Sequence, residues 1–310
     1  MWAEPFSAER RGNGMIAFEP ITIKDKEWMT GYLKKGHRGS LEYNFTSNFI
    51  WRHVYHLERA KVEGFLVVRS GEECPTYVFP SGDGNVKLLV ETLLEDARER
   101  QDKLRFNTVL NEDRAKLDEL FPAKFEFKQL RHAQDYVYSA ESLRTLAGKK
   151  LSSKRNHINR FEENNPDWGY EEITPGNLGE ALTMHREWCK EAGCMDNESL
   201  YHESCAVEET FRHFEELELT GGLIRTNGRV VAYTFGEPLS EDTYLVHIEK
   251  AFYDIQGAYP IINREFCRAN TEGFMYVNRE DDTGDEGLRK AKLSYRPEKM
   301  IEKVSAQWID

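Results

Sequence analysis

Apolar and polar positions along this chain follow two periods, and the period changes at turns rich in Gly, Asn and Pro. The segment GFLVVRSGEECPTYVFP from Gly64 is apolar, then polar around a glycine, then apolar again, and GLIRTNGRVVAYTFGEP from Gly222 repeats the pattern. Each predicts a β-hairpin. Asn227-Gly228 marks the turn of the second, because both residues accept positive φ at little cost. After Gly84 the period becomes helical, with Val86, Leu89, Val90, Leu93 and Leu94 on one face. After Gly257, AYPIINREFCRA opens a second helix, with Pro260 in its first turn. LRFNTVLNED from Leu104 and FMYVNREDD from Phe274 each predict a strand that runs into an acidic end.

These segments recur in the same order. FEPIT at Phe18–Thr22 returns as YEEIT at Tyr170–Thr174, and each half closes on an apolar stretch, DYVY in the first and VSAQW in the second. The shared order predicts two copies of one α/β (α+β) domain, each a mixed central sheet flanked by helices. The expected division is a leader over 1–14, a first domain over 15–143, a bridging helix over 144–167 and a second domain over 168–310. The competing reading is two unrelated domains that alternate strands and helices.

Composition narrows the function classes. The chain has 310 residues, 39% hydrophobic, which excludes a largely disordered protein. No apolar run reaches the length of a membrane helix, and a cytoplasmic location is expected. The net charge of −12 excludes a general nucleic-acid coater. The bridge is the exception: Arg144 to Arg160 holds six Lys/Arg and no Asp/Glu. Five cysteines and no secretory signal predict free thiols. A zinc site from Cys189, Cys194, His202 and Cys205 lacks a close pair of cysteines, so no metal is expected.

Standard hydrolase and nucleotide-binding motifs are absent from the sequence, and the dense polar signals lie in the second half. In TYLVHIEKA a period of two puts His247 and Glu249 on one face and Lys250 on the other. Glu249 reads equally as a general base or as an ion-pair partner of Arg279, Arg289 or Lys292. The turn Gly257-Ala258-Tyr259 opens a helix, where free N–H groups suit a phosphate; a plain tight turn is the alternative. In MYVNREDDTGDEGLRKAKLSYRP, Asn278 and Glu280 share one strand face and Arg279 and Asp281 the other. Arg289 and Lys292 stand three apart on one helical face, as a clamp for a phosphate or carboxylate or as a solvated helix end.

KKLSSKRNHINRF, VVAYTFGEPL, VHIEKA, GAYPIINREF and YVNREDDTGDEGLRKAKLSYRP together resemble the C-terminal domain family of bacterial phosphatidylglycerol lysyltransferases, in its stand-alone soluble form. The resemblance runs over residues 16–310. It implies two tandem GNAT-type acyltransferase domains, similar in architecture to the Fem-class aminoacyltransferases. It further implies a sheet that splays between two adjacent strands, with the donor entering the splay and its phosphates on the next helix N-terminus. Acetyl-CoA enzymes carry Gln/Arg-x-x-Gly-x-Gly/Ala there. This chain has Asp254 in the first position and Tyr259 in the last, which suits an aminoacyl-tRNA donor better. The resulting expectation is an enzyme that moves an acyl or aminoacyl group from charged tRNA or acyl-CoA onto an amine or hydroxyl of a peptide, small molecule or lipid headgroup. Glu249, His247 and Glu280 are expected to be catalytic. Gly257, Ala258, Tyr259, Lys149, Lys150, Lys154, Arg155 and Arg160 are expected on the donor and its phosphates, and Asn278, Arg279, Arg289, Lys292 and Tyr295 on the acceptor. An acyl-CoA N-acetyltransferase and a non-catalytic binding module are the alternatives. The first half is expected to be a degenerate copy.

Overall fold

The protein is described by a computed structural model that covers residues 15–36, 39–71 and 73–309. The leader expected over 1–14 lies outside the described residues. The strands are β1 (Glu19–Pro20), β2 (Glu58–Val62), β3 (Phe65–Ser70), β4 (Thr76–Val78), β5 (Ser81–Gly82), β6 (Arg105–Leu110), β7 (Phe125–Gln129), β8 (Asp135–Ser139), β9 (Gly169–Glu172), β10 (Thr220–Thr226), β11 (Arg229–Pro238), β12 (Thr243–Ala251), β13 (Tyr276–Asn278), β14 (Lys299–Ile301) and β15 (Lys303–Trp308).

They form two mixed sheets, in the order β1-β2-β3-β4-β6-β15-β7, with β5 on β3, and β14-β8-β13-β12-β11-β10-β9. Reversing the second list aligns the two strand by strand. In each, four antiparallel strands lead to one parallel pair, β4 with β6 and β12 with β13, and the next strand is antiparallel again. The aligned hairpins are β2–β3, turning at Glu63-Gly64, and β10–β11, turning at Asn227-Gly228; all four turn residues have positive φ. The sequence pattern had matched β3–β4 to β10–β11 instead, one strand out of step. Both are antiparallel apolar pairs, so alternation alone does not separate them.

The closing strands also differ from expectation. DYVY is β8, which pairs with β13 in the second sheet, and VSAQW is β15, which pairs with β6 and β7 in the first. Among the described residues the compact units are therefore those up to 134 together with 301–309, and 135–300. The boundary drawn at 143/144 moves to 134/135, the basic helix belongs to the second unit, and residues 301–309 belong to the first.

Local rules account for the elements. Asn85 caps the helix Val86–Glu99, its side chain accepting from the N–H groups of Lys87 and Leu88 at 3.0 and 3.2 Å. That helix buries Leu89, Val90 and Leu93 against Phe65, Tyr77 and Phe106 in the first core. In the second unit, Asp285 caps the helix Glu286–Leu293 through the N–H of Leu288 at 2.6 Å.

One cysteine pair corrects the thiol expectation: Cys189 and Cys194 form a disulfide, while Cys74, Cys205 and Cys267 are free. Cys189 lies in the last turn of the helix Leu178–Ala192, and Gly193 caps that helix in the left-handed region. The chain turns back there and brings the two Cα atoms to 5.2 Å.

Candidate active site

The site is built where β12 and β13 separate. They pair in parallel from Thr243↔Tyr276 to Leu245↔Asn278 and then part. Opposite the gap, β11 pairs Gly236 with Val246 and Phe235 with Ile248, which leaves His247 as an extra residue, a β-bulge. Gly236 permits this close approach, since a Cβ there would meet the Leu245 carbonyl oxygen at 2.5 Å. The bulge breaks the period of two, and His247 and Glu249 enter different clusters.

In the first cluster His247 lies between two carboxylates. Its Nε2 is 2.9 Å from Glu237 Oε1 and its Nδ1 is 2.9 Å from Glu280 Oε1. Both ring nitrogens face acceptors, so the imidazolium is the matching state. Burial alone would depress its pKa, but the bonds to Glu237 and Glu280 outweigh burial and carry it up to about 9. Glu280 has a φ of 57°, an uncommon conformation for a residue with a side chain. Its N–H donates to Asn278 Oδ1 at 2.7 Å, and its carbonyl accepts from Tyr136 at 3.0 Å. Asn278 is itself anchored, its Nδ2 donating to Asp135 at 3.0 Å. Only Oε1 of Glu280 is bonded among the described residues, which leaves Oε2 available.

In the second cluster Glu249 uses both oxygens. Oε1 accepts from Arg279 Nη2 and Oε2 from Asn263 Nδ2, each at 2.9 Å. Of the two readings offered for Glu249, this geometry is the ion pair. The Arg279 guanidinium lies 4.8 Å from the Tyr295 ring centre and 5.6 Å from that of Tyr138. Burial disfavours its charge, and the neighbouring Glu249 more than compensates, leaving the pKa raised. Lys154, from the helix Ser152–Asn164, places its ammonium 4.0 Å from the same Tyr295 ring. Burial, and then the charge of Arg279, push Lys154 down to about 8.

Of the other expected residues, Arg289, Lys292 and Arg155 are tied into the fold. Arg289 makes two bonds to Asp282, at 2.8 and 2.9 Å, and Tyr136 donates to the same carboxylate at 2.6 Å. Lys292 donates to the carbonyls of Arg279, at 2.6 Å, and of Asp281. Arg289 and Lys292 thus secure the 279–285 turn, and neither presents a free charge as a clamp. Arg155 donates to the carbonyls of Leu146 and Gly148, the latter at 2.8 Å. Lys149, Lys150 and Arg160 are exposed. Gly257, with a φ of 87°, packs on the 152–164 helix, where a Cβ would meet the His157 carbonyl oxygen at 2.3 Å. Ala258 spends its N–H on Ile255 at 3.1 Å, and Pro260 has none. The Tyr259 ring centre lies 5.9 Å from that of Tyr253, the two rings tilted by 41°, and Tyr253 lies 5.9 Å from Trp188.

Glu237, Asn263 and Tyr138 join the site without having been singled out in the sequence. Glu237 lies near the end of a strand already identified, and Asn263 occupies the buried face of its helix. Their contacts are made between elements, strand to strand for Glu237 and helix to strand for Asn263, where sequence spacing carries no information. Elsewhere in the unit, Ser204 Oγ lies 3.1 Å from His185 Nε2, which looks like a nucleophile and its base. The third partner, however, is the Tyr233 hydroxyl at 2.9 Å. Burial, with the charge of Lys250, holds His185 at about 4. Nothing there stabilises an imidazolium, and His185 is a core histidine.

The profile of the family described as phosphatidylglycerol lysyltransferase, C-terminal, matches residues 34–307. A conserved protein of unknown function from Bacteroides thetaiotaomicron superposes with a TM-score of 0.90 at 40% identity, over 95% of this chain and 100% of its own. The C-terminal domain of an Agrobacterium fabrum protein described as a lysylphosphatidylglycerol synthetase gives 0.67 at 11% identity, over 93% of each chain. A GNAT-family acetyltransferase from Colwellia psychrerythraea gives 0.51 at 8% identity, over 95% of this chain and 100% of its own, a likeness of fold. An uncharacterized protein of Mycoplasmoides gallisepticum is 23% identical over 182 residues, and the match spans 56% of each sequence. Among the described residues no helix is long and apolar enough to cross a membrane.

Proposed function

The chain belongs to the phosphatidylglycerol lysyltransferase C-terminal family, and from that premise we propose that it transfers an aminoacyl group from an activated ester, as in charged tRNA, onto an amine or hydroxyl acceptor. Family and fold support acyl or aminoacyl transfer as the class. The observation that carries the finer reading is Glu280, a carboxylate in a strained backbone conformation, anchored through one oxygen at the parting of two parallel strands.

In this mechanism the acceptor attacks the donor carbonyl while Glu280 Oε2 takes its proton. The new C–N or C–O bond forms and the carbonyl oxygen becomes an oxyanion. The peptide N–H of His247, the residue that the bulge leaves without a register partner on β11, is the donor assigned to it. The oxyanion collapses, the ester C–O bond breaks, and Glu280 returns its proton to the departing hydroxyl. His247 and Glu237 position the base, and the Glu249–Arg279 pair fixes the opposite wall. The packed Gly257 turn, without an open cradle for a pyrophosphate, favours charged tRNA over acyl-CoA.

The test is transfer of radiolabel from a mixture of charged tRNAs, or from acetyl-CoA, to amine acceptors and to phosphatidylglycerol vesicles. Transfer from charged tRNA is expected, and Glu280→Gln should lower it by about 10²–10⁴-fold in a protein that is less stable, having lost one His247 partner, but still folded at the assay temperature. Transfer from acetyl-CoA alone would mean an N-acetyltransferase, and binding without turnover a ligand-binding module. Full activity in Glu280→Gln would remove Glu280 as the base.

A further inference from the structure

Lys154 and Arg279 were expected on different substrates, yet both lie against the Tyr295 ring. Their charge centres lie 4.0 and 4.8 Å from the centre of Tyr295. Glu249 is the carboxylate against them, and both its oxygens are taken by Arg279 and Asn263. One positive charge is therefore left over. Arg279 Nη1 is buried with no acceptor, on a side chain only 10% exposed. Lys154 has no carboxylate partner among the described residues. A buried donor without an acceptor, beside a cation stripped of part of its hydration, is costly unless something fills the place.

We infer that Lys154, Arg279 and Tyr295 form one pocket for a phosphate-type oxyanion of a substrate. The anion accepts from Arg279 Nη1 and from the Lys154 ammonium, and the leftover charge is neutralised. This deepens the transfer reading and rests on it for what the anion belongs to. The binding itself is measured without turnover, so it stands or falls separately.

Sulfate is the probe, because its charge is constant across the pH range used. Titrated into the whole protein by calorimetry, it should bind, and Lys154→Met should weaken it tenfold or more. Above a pH of about 8, where the Lys154 ammonium is lost, affinity should fall about tenfold per pH unit. The groups facing Lys154 hold their states through this range. Arg279 stays charged against Glu249, burial holds Tyr138 and Tyr295 as neutral hydroxyls, and burial lifts the Cys267 thiol to about 12. Lys154→Arg keeps the charge without the titration, so it should bind sulfate with no break near pH 8; this holds the test open if the Met variant folds poorly. Competition by 5′-AMP and by glycerol 3-phosphate assigns the source: tighter 5′-AMP means a nucleic-acid phosphate, and tighter glycerol phosphate a lipid headgroup. The inference is overturned if wild type binds no sulfate, if the Lys154→Met affinity is unchanged, or if Lys150→Ala and Arg160→Ala weaken binding as much as Lys154→Met.

Discussion

His247 has two carboxylates on one ring and a side chain only 1% exposed, so its charge state governs how firmly the gap is held. Its pKa is raised in the folded protein, so the folded state binds the proton more tightly than the unfolded chain. The resulting stability is complete below the ordinary value near 6.5 and is lost as the pH rises through about 9. It amounts to roughly 3 kcal/mol. The melting temperature of wild type should exceed that of His247→Gln most below pH 6.5, and the difference should shrink towards pH 9.5. A constant difference would mean that the ring is held neutral. His185 works in the opposite sense: its pKa is depressed to about 4, so the protein loses stability as the pH falls from 6.5 towards 4. The bulge at His247 had a signal in the sequence, since Gly236 sits inside a strand and glycine there often marks a bulge or a close approach. Of the two carboxylate partners, Glu280, just past the end of β13, was already singled out with His247, while Glu237 had no signal, because it reaches His247 from β11.

Among the elements, the 152–164 helix was readable as a helix and only partly readable in its role. Ile158 and Phe161, with Leu151 just ahead of the helix, stand at helical spacing and are buried. Its basic residues looked alike in sequence and divide in space: Lys154 turns to Tyr295, Arg155 ties down the turn before it, and the rest face solvent. The Gly257 turn looked like a phosphate loop because glycine before a helix serves either purpose, and the close approach of His157 decides for packing. Gly257→Ala should therefore destabilise the protein by about 2–4 kcal/mol, through both the positive φ and the clash. A denaturant melt measures this, and a change under 0.5 kcal/mol would show that the two helices part easily.

At the scale of the whole molecule, the duplication into two mixed sheets was legible from the repeated order of hairpin, helix and acidic-ended strand, although the hairpins were matched one strand out of step. The destination of DYVY and VSAQW was not legible. Both are short and apolar enough for a sheet interior, and no local pattern says which sheet receives them. Deleting residues 302–309 should strip β6 and β7 of their shared neighbour. Hydrogen exchange should then find the first unit unprotected while β10 to β12 keep their protection; protected β6 amides would show that the first sheet closes without β15. The arrangement also sets an order in time. A ribosome delivers chains from the N-terminus and lets domains fold as they emerge, but here the first unit lacks an interior strand until residues 303–308 have been made, after the second unit. Its half-built sheet must wait with two strand edges open through the synthesis of the entire second unit, a long window in which a chaperone, or the same edge on a neighbouring nascent chain, competes for the place that β15 will take.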